Sequence, residues 1–158
     1  MTTTPARPDI PCDAYREMEP RWVLVSDVRD GTLTLREKRE VYLPKFEAET
    51  PADWVARVRL TFANDHYATT LEEHVGLVLS SPIVLGKDVP APLRTLIEDV
   101  DGAGNHLDVF AQSVLESALH LGHSVIYTDY PPADNIKWRA DEIAARVRPY
   151  ATLYAASD

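Results

Sequence analysis

The stretch that decides the fold is NHLDVFAQSVLESALHLGHSVIYTD, residues 105–129. Its apolar residues recur at the spacing of one helix face, which predicts a buried amphipathic helix of about four turns. Gly122 is a typical helix stop, and the mostly apolar run after it predicts a strand over residues 124–129. The apolar residues of the helix are Leu107, Phe110, Ala111, Val114, Leu115, Ala118, Leu119 and Leu121.

A second long helix is predicted nearer the N-terminus, over residues 13–29. Its apolar face includes Trp22, which we expect in the core. Asp13 is the expected N-cap, and Gly31 follows as a stop signal. Because proline lacks an N–H group, Pro20 predicts a kink or two shorter pieces.

Further helices are predicted between and after these two. One starts at Thr50-Pro51, since threonine caps well and proline suits the first helical position. Apolar residues at helical spacing predict others over residues 67–79 and 93–100. A last helix is expected over residues 134–147.

Strand patterns in the chain are short. Leu33 and Leu35 alternate, which suggests a short strand, and residues 150–156 suggest another. The mixed charges of residues 36–40 predict a solvent-exposed face. The sequence therefore predicts a helix-rich α+β fold of about five helices packed with two or three short strands.

Length and composition favour one acidic domain. The chain has 158 residues, with 16 Lys+Arg against 25 Asp+Glu and a net charge of −9. We expect residues 1–12 to form a flexible arm and residues 13–158 to form one domain. The charge argues against a free-standing polyanion binder, and the single cysteine, Cys12, excludes a disulfide framework. No apolar run reaches the ~18 residues of a membrane span.

An acidic, glycine-containing segment is the first candidate metal site. Residues 99–105, DVDGAGN, combine carboxylates with glycines, as calcium loops do. A calcium loop needs a glutamate at its twelfth position, and counting from Asp99 that position is Phe110. The segment is better explained as a helix stop and a turn, with Asn105 as N-cap of the next helix.

A histidine pair is the second candidate. His120 and His123 have a spacing that suits one helix face, but Gly122 lies between them and no third ligand is close in sequence. A metal-dependent hydrolase built on this pair with Asp99 and Asp101 is therefore disfavoured. Since the chain also lacks a nucleophile motif and a glycine-rich phosphate loop, we predict no catalytic residue, no cofactor and no metal.

Several segments in a fixed order carry a family resemblance. They are YLPKFEAE at 42–49, Arg57 and Arg59 with FAN at 62–64, VGLVLSSP at 75–82, LIEDVDGAGNHLDVFA at 96–111, LHLGHSVIYTDYP at 119–131 and RPY at 148–150. This order resembles the N-terminal part of a tailed-bacteriophage portal-like family, long carried as a domain of unknown function. The resemblance covers about residues 13–156.

The resemblance implies a structural role without catalysis. Portal subunits form a dodecameric ring at one capsid vertex, through which double-stranded DNA is packaged and ejected. The implied partners are further copies of the chain, the terminase, and capsid and head-completion proteins. DNA is expected to pass without specific binding, and no membrane is involved. The implied location is the capsid vertex of the virion, and the host cytoplasm during assembly.

The chain is expected to form the helix-rich outer wing of such a subunit. In this wing the helix of residues 107–121 would pack against Val125 and Tyr127. Portal subunits are several times longer, so we expect a truncated portal, such as a split gene or a prophage remnant. The net negative charge suits a channel in which DNA slides, because it repels phosphates. The alternative is a small acidic phage or prophage interaction module that binds capsid or terminase, with no DNA channel.

Overall fold

The computed structural model describes residues 10–131, 138, 140–141 and 147–158. In this part of the chain, helices and a two-stranded antiparallel sheet form a helix-rich α+β fold, which confirms the predicted class. The elements are α1 (Asp13–Asp30), α2 (Thr32–Glu37), a 3-10 helix (Arg39–Val41), α3 (Pro51–Leu60), α4 (His66–Val78), α5 (Ala91–Leu96), α6 (Leu107–Leu121), β1 (Ser124–Asp129) and β2 (Tyr150–Ala155).

The described residues group into two compact units. The first extends to Thr70 and includes Ser157, so it holds α1, α2 and α3. The second covers Leu71–Ala156 with Asp158 and holds α5, α6 and both strands. One domain over residues 13–158 stays a prediction. Residues 1–9 of the expected arm, and most of the helix expected over residues 134–147, lie outside the described residues.

The second unit contains the predicted helix, glycine and strand in that order. Helix α6 ends where Gly122 adopts a φ of 92°, a left-handed conformation that glycine takes without Cβ strain. Strand β1 follows and pairs antiparallel with β2, from Ser124 opposite Ala155 to Asp129 opposite Tyr150. Helix α6 packs against both strands. The strand predicted near residue 150 therefore has a partner within the chain.

Two predicted N-caps are wrong. Helix α6 is capped by His106, whose Nδ1 accepts a hydrogen bond from the N–H of Asp108 at 3.2 Å. Asn105 instead uses its amide group within the preceding loop. Helix α1 has Cys12 at its N-cap, and Asp13 lies in the first turn. A carboxylate in the first turn still interacts favourably with the helix dipole.

The chain after α1 is helical where the sequence suggests a strand. Helix α1 continues through Pro20 as one helix and does not divide into two shorter pieces. Gly31, with a φ of 73°, ends α1 and is the N-cap of α2. The strand suggested by Leu33 and Leu35 is therefore wrong. An alternation of two residues is a weak signal, and hydrogen bonds between α2 and the chain after α3 stabilise the helix instead.

The core of each unit is small. In the first unit, Trp22 is buried as predicted, with 6% of its surface exposed. Val58 is the other buried apolar residue among the described residues of this unit. The ring of Tyr15 meets Trp22 edge to face, with centroids 5.2 Å apart. The buried apolar residues of the second unit are Leu71, Val75, Phe110, Leu121 and Ala156.

Large apolar side chains are exposed on both units. Leu60 and Phe62 in the first unit and Leu77 in the second are at least three-quarters exposed. Val125 and Tyr127 of β1 are each about half exposed, so α6 covers only part of the predicted packing surface. Apolar surface of this kind often marks a site of protein–protein contact.

Substitution of Phe110 tests whether α6 anchors the second unit. Phe110→Ala is expected to lower the free energy of unfolding by about 3–5 kcal/mol, because it removes a buried ring and leaves a cavity. Urea unfolding followed by circular dichroism measures the change. The neighbouring Val109 is half exposed on the same helix, and Val109→Ala should cost less than about 1 kcal/mol. Equal losses for the two variants would contradict the buried position of Phe110.

Candidate functional site

One arginine of helix α3 holds residues 42–49 against that helix. Arg57 donates from Nε and Nη2 to the two carboxylate oxygens of Glu49, at 2.8 and 2.9 Å. Its Nη2 also donates to the carbonyl of Pro44 at 2.8 Å, and its guanidinium lies 4.4 Å from the ring centroid of Phe46. Paired hydrogen bonds of this geometry are among the stronger and more specific side-chain contacts.

Two further contacts hold the same segment. Trp54 is half-buried and donates from its indole nitrogen to the carbonyl of Leu43 at 2.8 Å. Thr50 is confirmed as N-cap of α3, since its hydroxyl accepts from the N–H of Asp53 at 3.2 Å. Trp54 and Arg57 lie three residues apart on the helix, so the whole segment rests on one face of α3.

The pKa of Glu49 reflects this clamp. Hydrogen bonding from Arg57 lowers the pKa of the carboxyl below its usual value, and this outweighs the opposing effect of desolvation. The same contact raises the pKa of Arg57. Sequence reasoning missed the pair. The available signal was an acidic and a basic residue on opposite sides of the predicted helix start at Thr50.

A second clamp in the first unit surrounds a buried carboxylate. Asp27 of α1 is 5% exposed. The Nζ of Lys38 donates to its Oδ1 at 2.6 Å, and the hydroxyl of Tyr42 donates to its Oδ2. Burial alone would raise the pKa of Asp27, but these two hydrogen bonds outweigh burial and the pKa lies below its usual value. The hydrogen bond to Asp27 also raises the pKa of Tyr42.

The acidic segment of the second unit, residues 99–105, is held by hydrogen bonds between its own residues. The carboxylate of Asp101 accepts from the N–H of Ala103 at 2.9 Å, and from the side-chain amide of Asn105 at 2.6 Å. The hydrogen bond from Asn105 is the main reason that the pKa of Asp101 is lowered. The carboxylate that the calcium template would use is thus engaged by its own loop.

Asp99 joins this loop to the chain before β2. Its carboxylate accepts from the N–H of Gly104 at 2.8 Å and forms an ion pair with Arg148. The hydrogen bond from Gly104 is the main cause of the lowered pKa of Asp99, and Arg148 adds to it. The N–H of Ala151 donates to the carbonyl of Val100 at 2.9 Å beside this pair. The chain around Asp99 and the chain around Arg148, distant in sequence, therefore meet here.

The other candidate residues lie apart from these clamps. His120 is in the last turn of α6, and Gly122 ends the helix before His123. In the part of the chain that the structure describes, no group of three His, Cys, Asp or Glu side chains is arranged to hold a metal ion. Cys12 is exposed at the start of α1.

The clamp on residues 42–49 is tested by a substitution that keeps its charge. Arg57→Lys removes the paired hydrogen bonds, since an ammonium group cannot span both oxygens of Glu49 and reach Pro44. We expect trypsin to cleave after the exposed Lys45 several-fold faster in native conditions, as followed by mass spectrometry. Arg59→Lys, on the same helix, is the control and should leave the rate unchanged. Equal rates for both variants would contradict the clamp.

Lys38→Met tests the buried ion pair through its dependence on pH. The folded-state pKa of Asp27 is lowered, so the pair contributes stability above the unfolded pKa of about 3.9 and loses it as the pH falls through the folded value. At neutral pH we expect a loss of about 1–2 kcal/mol, a range that allows for solvent screening around the partly exposed lysine.

The same loss should begin to shrink below about pH 4, where the unfolded chain binds a proton at Asp27, and should disappear below the lowered folded-state pKa. Urea unfolding of both chains at several pH values measures this. Lys87→Met, at an exposed lysine of the second unit, is the matched control. A loss for Lys38→Met that is constant with pH would contradict the ion pair as its source.

Comparison with known proteins supplies no family for this chain. No protein-family model matches it, and no curated protein sequence matches it. Within the described residues, no helix is both long enough and apolar enough to cross a membrane.

Proposed function

We propose that this chain is a structural, non-enzymatic protein that forms the wing of a phage portal-like subunit. Such subunits form a ring at a capsid vertex, through which double-stranded DNA is packaged and ejected. The observation that carries the proposal is that the segments resembling portal proteins make structural contacts within the chain. Residues 42–49 are fastened to α3, and residues 99–105 brace Arg148. These segments support the backbone, as expected of an assembly component.

The exposed apolar surface supports assembly with further protein. Leu60, Phe62 and Leu77 are at least three-quarters exposed, although the chain has few buried apolar residues. Covering these side chains with a partner would remove apolar surface from water, which is favourable. In the proposed ring, the partners are neighbouring copies, together with capsid, terminase and head-completion proteins. The proposed location is the capsid vertex, and the host cytoplasm during assembly.

The charge supports a channel wall that does not hold DNA. The chain carries a net charge of −9. Fixed negative charge repels phosphates, so DNA would pass without tight binding.

The size of the assembled particle tests this proposal. We expect the purified chain at micromolar concentration to form large oligomers in native mass spectrometry, close to twelve copies, with ring-shaped views in negative-stain electron microscopy. Duplex DNA should bind no more tightly than about 10⁻⁴ M at physiological salt, the weak end of non-specific binding.

A well-folded monomer or small dimer at the same concentration would contradict the ring. That result supports the alternative, an acidic interaction module that binds capsid or terminase without a DNA channel. Circular dichroism of the same sample establishes that the protein is folded.

A further inference from the structure

A pocket in the first unit combines an apolar floor with a basic rim. It lies between α2, the 3-10 helix and α3 and has a volume of about 290 Å³. Trp54, Val55 and Val58 form the apolar part. The basic part consists of Arg36, Arg39 and Arg59. We call this site the arginine pocket. No carboxylate is among its lining residues.

The charges of the arginine pocket are largely uncompensated. Arg36 donates from Nε to the carbonyl of Thr61 at 2.8 Å, which leaves the rest of its guanidinium available. The guanidinium groups of Arg39 and Arg59 are exposed and have no hydrogen bond or ion pair with the described residues. Arg39 also has a φ of 34°, in the left-handed region that side chains other than glycine rarely adopt. A ligand that suits this site has an anionic group next to an apolar one.

The second unit carries most of the negative charge of the chain. Residues 1–70 with Ser157 contain ten Lys or Arg and twelve Asp or Glu, a net charge of −2. Residues 71–156 with Asp158 contain six and thirteen, a net charge of −7. The arginine pocket of one copy is therefore complementary in charge to the second unit of another copy.

Helix α4 presents the required chemistry on the second unit. Glu72 and Glu73 are exposed and have no partner among the described residues. Leu77 is 75% exposed and lies one helical turn after Glu73, so the two side chains share a face. Val78 is 64% exposed next to it. An exposed carboxylate next to an exposed apolar side chain matches the basic rim and the apolar floor of the arginine pocket.

We propose that the arginine pocket of one copy binds the α4 face formed by Glu73 and Leu77 of a second copy, with Glu72 beside this face, one position earlier on the helix. The carboxylates would pair with Arg39 and Arg59, and the leucine would cover the apolar floor. Because the two surfaces differ, the contact is head-to-tail. Repeated contacts of this kind form a ring when the rotation from copy to copy closes, and an open filament when it does not. The inference rests on the proposed function and names the interface through which that ring assembles.

A nucleic-acid phosphate is the competing occupant for a basic pocket. Backbone phosphates of a duplex could pair with the arginines but would leave the apolar part of the pocket, Trp54, Val55 and Val58, uncovered. A carboxylate on a second copy approaches as part of a mixed apolar and polar surface, which the pocket matches better.

Charge reversal on each side of the contact tests the interface. Arg39→Glu with Arg59→Glu is one variant, and Glu72→Arg with Glu73→Arg is the other. Each alone should weaken self-association at least about tenfold in sedimentation velocity, since like charges then face each other. An equimolar mixture should restore it, because every contact in an alternating assembly is again between opposite charges. Association of the parent chain should weaken between about 0.05 M and about 0.5 M NaCl.

Arg16→Glu with Arg21→Glu is the matched control, because it makes the same change in net charge on α1, outside the pocket. It should assemble like the parent. If the parent assembles and the variant at Arg39 and Arg59 assembles equally well, this inference is wrong and the proposed function stands. If the parent is monomeric, the proposed function fails as well. Loss of duplex DNA binding without loss of assembly would assign the pocket to nucleic acid.

Discussion

Carboxylates that accept hydrogen bonds from within the chain hold this fold together where its small core cannot. Asp27 and Glu49 do so in the first unit, and Asp99 and Asp101 do so in the second. Charge-assisted hydrogen bonds are stronger than neutral ones and fix geometry as well. These hydrogen bonds hold the loops between the helices, where few apolar side chains are buried in either unit. Part of the acidity of the chain is structural in this way.

Elements with an extended apolar pattern could be predicted from the sequence, whereas α2 and two of the helix N-caps could not. Helix α6 and β1 follow from an extended apolar pattern with a stop at Gly122. The alternation at Leu33 and Leu35 is only two residues long, so contacts with distant chain decide that segment. The N-caps at Cys12 and His106 depend on the backbone angles of one residue. Neighbouring residues determine such angles weakly, and helix ends are the least certain feature of any pattern.

The clamps and the arginine pocket were beyond prediction for a different reason. Residues 36–40 have the composition of a solvent-exposed face, with both signs of charge interspersed. In the structure, Lys38 pairs with Asp27, eleven residues earlier, whereas Arg36 and Arg39 line the pocket. Lys38 lies between the end of α2 and the start of the 3-10 helix. The sign of a charge alone does not identify its partner when that partner is distant in sequence.

Arg39 combines an unfavourable backbone conformation with a place in the lining of the arginine pocket. Its φ of 34° is the one left-handed value at a non-glycine residue in the described chain. Such a conformation costs a side-chain-bearing residue about 1–3 kcal/mol and persists because the surrounding structure imposes it. Glycine or asparagine would relax the turn but would remove a guanidinium from the pocket. In the proposed interface, the backbone conformation therefore favours glycine at this position, whereas pairing with a carboxylate favours arginine.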